Sequence, residues 1–236
     1  MDIRLIISGS RPWDLWTRNW GLSFLIAGDV LFDTFANYRA LARKALRAQV
    51  DLGKINSVVI SHDHWDHIGG LWRLIELRKG INVYLPLHAE EKARARVRSS
   101  GCFVIDAPET KIVKPGVYVI EEIMGDFDGL AIAEQAVVID TSKGLSIIVG
   151  CSHPGIVAMV RKVKNIFKAP VYAVVGGLHL MDSSIGDINA CAQALRDEGV
   201  SLIAPVHCTG RRAEKVLKET FHESFIYLGE GQSLSL

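Results

Sequence analysis

Residues 61–70 read Ser-His-Asp-His-Trp-Asp-His-Ile-Gly-Gly and hold the densest group of metal-ligand residue types in the chain. An apolar run precedes this stretch and a helix-like sequence follows it, as at a strand-to-helix turn of an α/β fold. Alternating residues of an extended segment point the same way, so His62 and His64 can reach one metal ion together. Asp66 and His67 lie beyond the turn and can reach a second ion. Because the whole chain has eight histidines, a chance polar loop poorly explains three of them within this motif.

The pattern His-x-His-x-Asp-His, intact at 62–67, resembles the signature motif of the metallo-β-lactamase superfamily. The resemblance implies an α/β fold, a four-layer αββα sandwich with mixed sheets that holds one or two divalent metal ions at one end. We find no linker and therefore expect a single domain over residues 1–236. Zinc is the metal that the resemblance implies first, and histidine and carboxylate ligands suit manganese or iron as well.

Composition and charge exclude several classes of protein. The formal net charge is +1, so the basic excess of nucleic-acid-binding proteins is missing and we predict no nucleic-acid partner. The sequence has no run of roughly 18 apolar residues, which predicts no membrane span, and residues 1–7 do not resemble a signal peptide. Four dispersed cysteines indicate free thiols in a reducing cytoplasm. The oligomeric state stays open.

Short apolar runs separated by turn signals predict two halves with the same order of elements: a hairpin, a strand that ends in ligands, and helices. The hairpins fall at 20–33 and 135–149, whereas 9–19 and 124–134 read as loops. The last strands, 225–228 and 232–236, read as a pair. The main helices are expected at 38–50, 71–79, 156–167, 188–197 and 209–220. Two facing halves of this kind would bring their ligand loops to one end of the molecule.

The superfamily resemblance extends to an aspartate that ends the first hairpin. In the superfamily this strand ends in aspartate followed by Thr-Gly, and this chain has Asp33, Thr34 and Phe35. The resemblance implies that Asp33 orients metal ligands through hydrogen bonds. An ordinary turn aspartate at a strand end is the alternative, and Phe35 in place of glycine leaves the turn geometry open.

Two further histidines follow strand ends in the second half. His153 follows the strand at 145–149, and His207 follows the strand at 201–205. Cys151 could point the same way as His153, but we interpret it as a small buried residue and not as a ligand. The resemblance thus implies two ligand sets, namely His62, His64 and His153 for one ion and Asp66, His67 and His207 for the other.

The chain departs from the superfamily where most two-metal members have a bridging aspartate, after the strand at 171–175. Here the sequence is Gly-Gly-Leu-His, and His179 is the expected substitute, either as a ligand or as a catalytic group that contacts substrate. Losing a carboxylate between two cations implies that the second ion binds weakly or with substrate. The resemblance also implies that Asp66 serves as a catalytic proton acceptor as well as a ligand.

Two regions are candidates for substrate binding. Thr209 begins a helix whose first turn carries Arg211 and Arg212, and a helix N-terminus with basic residues favours a phosphate. Surface charges are the alternative there. Trp13 and Trp16 lie in the first loop and could form an aromatic wall over a flat ring, or could instead close the edge of the core.

A narrower resemblance depends on Gly-Cys-Ser-His-Pro-Gly at 150–155, Gly-Gly-Leu-His-Leu at 176–180 and His-Cys-Thr-Gly at 207–210. These segments are similar to the dihydropterin-6-methyl-ribofuranosylaminobenzene-phosphate synthases, which join a pterin methyl diphosphate to an aryl ribose phosphate. The resemblance implies a metal-dependent enzyme with a phosphorylated small-molecule substrate. That family often has Asp-Asp-Gln where this chain has Ala133, Glu134 and Gln135. The alternatives are a metal-dependent hydrolase of an ester, lactone or phosphodiester, and a metal-binding protein without catalysis.

Overall fold

The computed structural model describes residues 1–236, with the side chain of every residue except that at position 12. The first half contains β1 (Asp2–Gly9), α1 (Pro12–Trp16), β2 (Gly21–Ile26), β3 (Val30–Phe32), α2 (Tyr38–Arg47), β4 (Ser57–Val59), α3 (Trp65–Ile68), α4 (Leu71–Leu77), β5 (Asn82–Tyr84), α5 (Glu91–Ser99) and β6 (Phe103–Ile105). The second half contains β7 (Lys111–Lys114), β8 (Val117–Val119), β9 (Ile123–Phe127), β10 (Leu130–Glu134), β11 (Val137–Thr141), β12 (Gly144–Val149), α6 (Ile156–Phe167), β13 (Val171–Gly177), α7 (Ile185–Asp197), β14 (Leu202–Val206), α8 (Arg211–Phe221) and β15 (Ser233–Ser235). Short 3-10 turns lie at Leu52–Lys54, His207–Thr209 and His222–Ser224.

Two mixed sheets form the inner layers. The strand order is β15-β1-β2-β3-β4-β5-β6 in the first sheet and β14-β13-β12-β11-β8-β7 in the second. The strands β3 to β6 run parallel, as do β12 to β14, and the other neighbours are antiparallel. Each sheet therefore joins a hairpin to parallel strands whose carboxyl ends share one edge, which is where α/β folds place ligands.

Apolar side chains divide the molecule into four layers. Phe24 and Phe32 of the first sheet pack with Val137 and Val175 of the second in a core between the sheets. A second core joins α2, α4 and α5 to the outer face of the first sheet, and a third joins α6, α7 and α8 to the second sheet. The predicted αββα sandwich with mixed sheets is thus confirmed.

Helix spacing and capping explain the two helices that follow the hairpins. In α2, Leu41 and Ala45 face the core, and the side chain of Asn37 caps the first turn by accepting a hydrogen bond from the backbone N–H of Ala40 at 2.9 Å. In α6 the buried residues repeat every three to four positions, and they are Ile156, Met159, Val160 and Val163. These positions bury one face of each helix, so the helices cover the sheets and leave the strand ends open.

Three predicted elements were wrong. Residues 124–134 form the hairpin β9–β10 and not a loop, because Asp128 and Gly129 both adopt positive φ in the turn between them. The 9–19 segment contains the helical turn α1. The last two segments do not pair with each other, since β15 pairs with β1 and Phe225 bridges to Ile203 of β14. The C-terminal segment thereby links the two sheets.

Among the described residues, we find no helix with the length and apolar content that crossing a bilayer requires.

Candidate metal centre

Two groups of three metal-ligand side chains lie at one end of the sandwich. The first group is His62, His64 and His153, and the second is Asp66, His67 and His207. Within each group the ligand atoms lie within 4.8 Å of one another. The structure therefore brings together both ligand sets that were predicted from the sequence, and each set combines residues from the two sheets.

The first ligand loop is built at the end of β4. His64 keeps an extended backbone and precedes α3, which begins one residue later, so Asp66 and His67 lie within a short helix and not beyond a turn. Gly21 of β2 adjoins this helix, because a Cβ at Gly21 would lie 1.9 Å from the carbonyl oxygen of Asp66. Thr34 holds the other side of α3 by donating a hydrogen bond from its hydroxyl to the carbonyl of His67 at 2.8 Å.

Asp33, the residue after β3, contacts this loop and is fully buried. Its carboxylate accepts hydrogen bonds from the backbone N–H and the hydroxyl of Ser61, each at 2.7 Å, and it contacts Nδ1 of His67 at 2.6 Å. Because the carboxylate holds Nδ1, the other ring nitrogen of His67 faces the centre of the site. This is the placement expected of a group that orients a metal ligand.

Phe35 explains how the chain forms the turn without the glycine of the superfamily. It adopts φ +61°, a left-handed conformation that costs a residue with a side chain about 1–2 kcal/mol. Its ring is 1% exposed and packs in the core under α2 and α4. Burying a phenylalanine contributes about 1.5–3 kcal/mol, which is enough to offset the strained backbone.

Glu134 holds the second ligand loop, residues 151–153. It was not identified as a functional residue from the sequence alone. It is fully buried, and its carboxylate accepts hydrogen bonds from three successive backbone N–H groups at 2.8–2.9 Å. The donors are Cys151, Ser152 and His153. Burial raises the pKa of Glu134, and the backbone hydrogen bonds oppose that rise. This carboxylate fixes the path of the loop that presents His153.

Gln135, the next residue, connects the two halves of the site. Its side-chain amide donates hydrogen bonds to the carbonyls of Ile60 at 2.8 Å and Tyr84 at 3.2 Å, and its backbone N–H donates to Ser61. Gly150 adds a close contact, since a Cβ there would lie 2.1 Å from the Ser61 hydroxyl. The sequence signal for these residues was a Glu-Gln pair before a strand, at the place where the synthases that the sequence resembles often carry an acidic stretch.

The histidines after β13 and β14 take left-handed backbone conformations. His207 has φ +56° and its Nδ1 donates to the carbonyl of Gly9 at 2.8 Å, which leaves Nε2 facing Asp66. His179 has φ +52° and is exposed to solvent, with its ring centroid 4.4 Å from that of His153. His179 therefore lies beside the first ligand group and not within either predicted set.

Unpartnered nitrogen atoms test whether these side chains fit metal ions. Among the described residues, the buried ring nitrogens without a hydrogen-bond partner are His62 Nε2, His153 Nδ1, His153 Nε2 and His207 Nε2. A buried polar atom without a partner costs about 1–3 kcal/mol. A metal ion in each ligand group would satisfy one nitrogen of each of these three histidines. Imidazole nitrogen and carboxylate oxygen are also suitable donors for zinc, so the residues fit the group that the fold implies.

Electrostatics keep the first ligand group neutral. Burial, followed by the neighbouring histidines, lowers the pKa of His62 well below its ordinary value. Burial also lowers the pKa of His64, and burial together with His179 and His64 lowers the pKa of His153 to about 3. Neutral imidazole is the form that binds metals, so these rings are ready to bind at neutral pH.

The second group carries charge. Burial opposes ionisation of Asp66, but the charge of His67 and the close approach of the His207 and His67 rings hold the pKa of Asp66 far below its usual range. Burial likewise opposes protonation of His67, and Asp66 and Asp33 outweigh it and raise the pKa of His67. The His67 ring is 3.3 Å from one Asp66 oxygen and 2.6 Å from one of Asp33. A cation is therefore strongly favoured between these carboxylates.

Cys151 lies in the middle of the site, where we did not predict a functional residue. Its Sγ is 3.2 Å from Nε2 of His67, and its side chain is 4% exposed. Burial and the neighbouring Cys208 raise the pKa of the Cys151 thiol. The spacing of two residues between Cys151 and His153 after a strand was the signal that could have identified it.

A cavity of about 510 Å³ opens above both ligand groups, which is the size of a typical small-molecule site. Its aromatic wall comes from Trp20, Trp65 and Phe127, and the last of these belongs to the unpredicted β9–β10 hairpin. His64, Asp66, His153 and His179 contribute the polar floor, and the acidic residues Asp128 and Asp182 also line it.

The predicted substrate-binding residues lie outside this cavity. Trp16 lines a neighbouring hollow with Trp65, and the side chain of Trp13 is 73% exposed on α1. Thr209 is fully buried, where its hydroxyl donates to Val206 and accepts from the N–H of Leu178. Two basic residues are exposed on α8, namely Arg211 and Arg212, and Arg212 donates to the carbonyl of Ser183. Substrate binding by these residues stays a prediction.

Comparison with known proteins gives matches at the level of family, relative and fold. A family described as a β-lactamase superfamily domain matches residues 29–119. The 7,8-dihydropterin-6-methyl-4-(β-D-ribofuranosyl)-aminobenzene-5'-phosphate synthase of Methanocaldococcus jannaschii is 31% identical over 92% of this chain and 90% of that protein. A crystal structure of a metal-dependent hydrolase of the β-lactamase superfamily superposes with a TM-score of 0.79 at 24% identity, over 100% of this chain and 99% of that chain. The metallo-β-lactamase fold protein YhfI from Bacillus subtilis gives 0.73 at 12% identity, over 99% of each chain.

These matches agree with the geometry of the site. The solved structures share the fold, and the relative from M. jannaschii matches along 92% of the chain. The signature motif and the four-layer sandwich indicate the same superfamily. The chain therefore belongs to the metallo-β-lactamase superfamily, in the branch that includes the M. jannaschii protein named as a dihydropterin synthase.

Proposed function

We propose that this protein is a metal-dependent transferase that joins a pterin methyl diphosphate to an aryl ribose phosphate and releases diphosphate. The observation that carries the proposal is the pair of ligand groups on the floor of the cavity, together with the sequence identity of 31% to a protein of that name. The four free cysteines support a reducing compartment such as the cytoplasm.

The charge of the cavity supports an anionic substrate only when metal is bound. Asp66, Asp128 and Asp182 line the cavity, and these carboxylates repel phosphate groups. We assign one divalent ion to His62, His64 and His153, and a second to Asp66, His67 and His207, with zinc, manganese or iron as suitable metals. Such ions, when bound, would supply the positive charge that neutralises phosphoryl oxygens of the substrate.

The protein's own side chains would donate a proton, hold the metal ions and stack against the substrate ring. His179 lines the cavity, and the neighbouring Cys208 raises the pKa of His179 more than burial lowers it. Because His179 lines the cavity, we assign it the donation of a proton to a leaving oxygen. The low pKa of Asp66 makes it a weak base, so we assign Asp66 mainly to metal binding. Trp65 and Phe127 offer flat surfaces for a pterin ring.

A diphosphate-release assay tests this function. The protein is loaded with zinc or manganese and mixed with the pterin methyl diphosphate, with and without the aryl ribose phosphate. Release that requires both substrates is expected and supports a transferase. Release without the second substrate would instead identify a hydrolase. A fully metal-loaded protein that releases no diphosphate in either mixture would contradict the proposal. The His153→Ala variant is the matched negative control.

A further inference from the structure

The position of Cys151 between the two ligand groups is unexplained by the roles assigned so far. Among the described residues, it alone belongs to three further groups whose ligand atoms lie within 4.8 Å of one another. These groups are Cys151 with His62 and His67, Cys151 with His207 and Cys208, and Cys151 with His153 and His179. Its sulfur thus approaches histidines from both of the predicted ligand sets.

The distances are compatible with shared metal coordination. Zinc binds sulfur at about 2.3 Å and imidazole nitrogen at about 2.0 Å, so two such donors on one tetrahedral ion lie about 3.5 Å apart. The observed separation between Cys151 Sγ and His67 Nε2 is 3.2 Å. Little movement is therefore needed for both atoms to bind the same ion.

Charge balance also favours a further anionic donor. With its histidines neutral, the predicted set of six ligands contributes one negative charge, from Asp66, against two divalent ions. The strand end at which superfamily members carry a bridging aspartate has glycine and leucine before His179 in this chain. A thiol that coordinates a metal is bound as the thiolate, which supplies a second negative charge at the centre of the site.

We infer that Cys151 is a metal ligand shared by the two ions, a sulfur donor in the place of a bridging carboxylate. The inference rests on the metal binding assumed in the proposed function. The loop geometry supports it, because Glu134 accepts a hydrogen bond from the backbone N–H of Cys151 at 2.9 Å. That contact fixes the backbone and leaves the sulfur directed into the ligand groups.

Cobalt(II) spectroscopy tests the inference with a readout that is independent of activity. Metal-free protein is titrated with cobalt, and sulfur-to-cobalt charge-transfer absorption is recorded together with the number of ions bound. The wild-type protein is expected to show the sulfur band, and Cys151→Ser is expected to lose it. The same substitution should lower the affinity for the more weakly bound ion by at least about tenfold. The matched control is Cys208→Ser, at a neighbouring buried thiol, which should retain the band.

A second variant distinguishes the loss of a sulfur ligand from the loss of the folded structure. Cys151→Asp supplies a carboxylate of similar size, and it is expected to bind two cobalt ions without the sulfur band. A band that survives in Cys151→Ser, or disappears in Cys208→Ser, would overturn the assignment. Cobalt that binds the wild-type protein without any sulfur band would refute the inference alone. Absence of cobalt binding in the wild-type protein would refute the proposed function as well.

Discussion

The two halves of the site each use one buried carboxylate to hold a ligand loop, and they use it differently. Asp33 contacts the ring of His67 and both the backbone and the hydroxyl of Ser61. Glu134 contacts only backbone N–H groups, those of three successive residues. The first carboxylate therefore acts on a ligand, whereas the second acts on the path of the chain. The difference predicts that Asp33 controls the affinity for metal, whereas Glu134 controls the stability of the folded protein.

The largest expected effect comes from removing one ligand from each half. His62→Ala and His153→Ala should each lower the affinity for one metal ion by more than the roughly 100-fold seen when outer partners are lost. Metal content per chain after dialysis against a weak chelator measures the effect. His88→Ala is the control, because His88 lies outside both ligand groups and is exposed. Equal metal content in His153→Ala and wild type would show that the halves do not share an ion.

Glu134→Gln tests the role assigned to the second carboxylate. The amide offers one acceptor oxygen, and its NH₂ group faces backbone N–H donors that it cannot bind. Leaving buried donors without partners should lower the free energy of unfolding by about 2–3 kcal/mol. Urea denaturation of the metal-free protein measures the change, with the exposed Glu109→Gln as control. A variant as stable as the wild type would indicate that this loop holds its path without Glu134.

Asp33→Asn tests the role of the first carboxylate. The amide keeps the size of the side chain and removes the charge that orients His67, so metal affinity should fall by about 10- to 100-fold. Isothermal titration with zinc measures the affinity, with Asp197→Asn on the exposed face of α7 as control. If this variant lost stability and kept its affinity, the contrast between the two carboxylates would be wrong.

The ligands could be predicted from the sequence because the residues that signal them are close to them in the chain. Four of the predicted ligands fall within one short motif, and the resemblance of that motif to the superfamily signature implied the fold around them. His153 and His207 were predicted because each follows a strand end at which the superfamily resemblance implies a ligand. Each of these signals lies within a few residues of the ligand it identifies.

The parts that were missed depend on contacts between distant residues. Glu134 bonds to a loop 17 residues away, and Gln135 bonds to a carbonyl 75 residues away on the other sheet. Cys151 gains its significance from histidines that follow other strands, such as His62, His67 and His207. The β9–β10 hairpin was read as a loop because half of its strand residues are exposed and its Asp-Gly turn was not recognised. Such features become apparent only in the folded structure, in which the two sheets are packed together.

The smallest expected effect is a difference in how the two halves respond to pH in the metal-free protein. Burial lowers the pKa of His153 from 6.5 to about 3, so the unfolded chain binds this proton more readily than the folded one. The stabilisation linked to neutral His153 is therefore complete above about pH 6.5 and is lost as the pH falls toward 3. His67 has the opposite sign, because its raised pKa gives stabilisation that is present at low pH and is lost as the pH rises through that value.

Replacing His153 separates these two contributions. His153→Gln removes the titrating ring of the second half and leaves His67 between Asp33 and Asp66. Urea midpoints measured with chelator from about pH 7 to about pH 4 should fall less steeply in the variant than in the wild type. Parallel curves would mean that the folded protein protonates His153 as readily as the unfolded chain does. A steeper fall in the variant would mean that His153 is charged in the fold, and the second half would then bind metal only after releasing a proton.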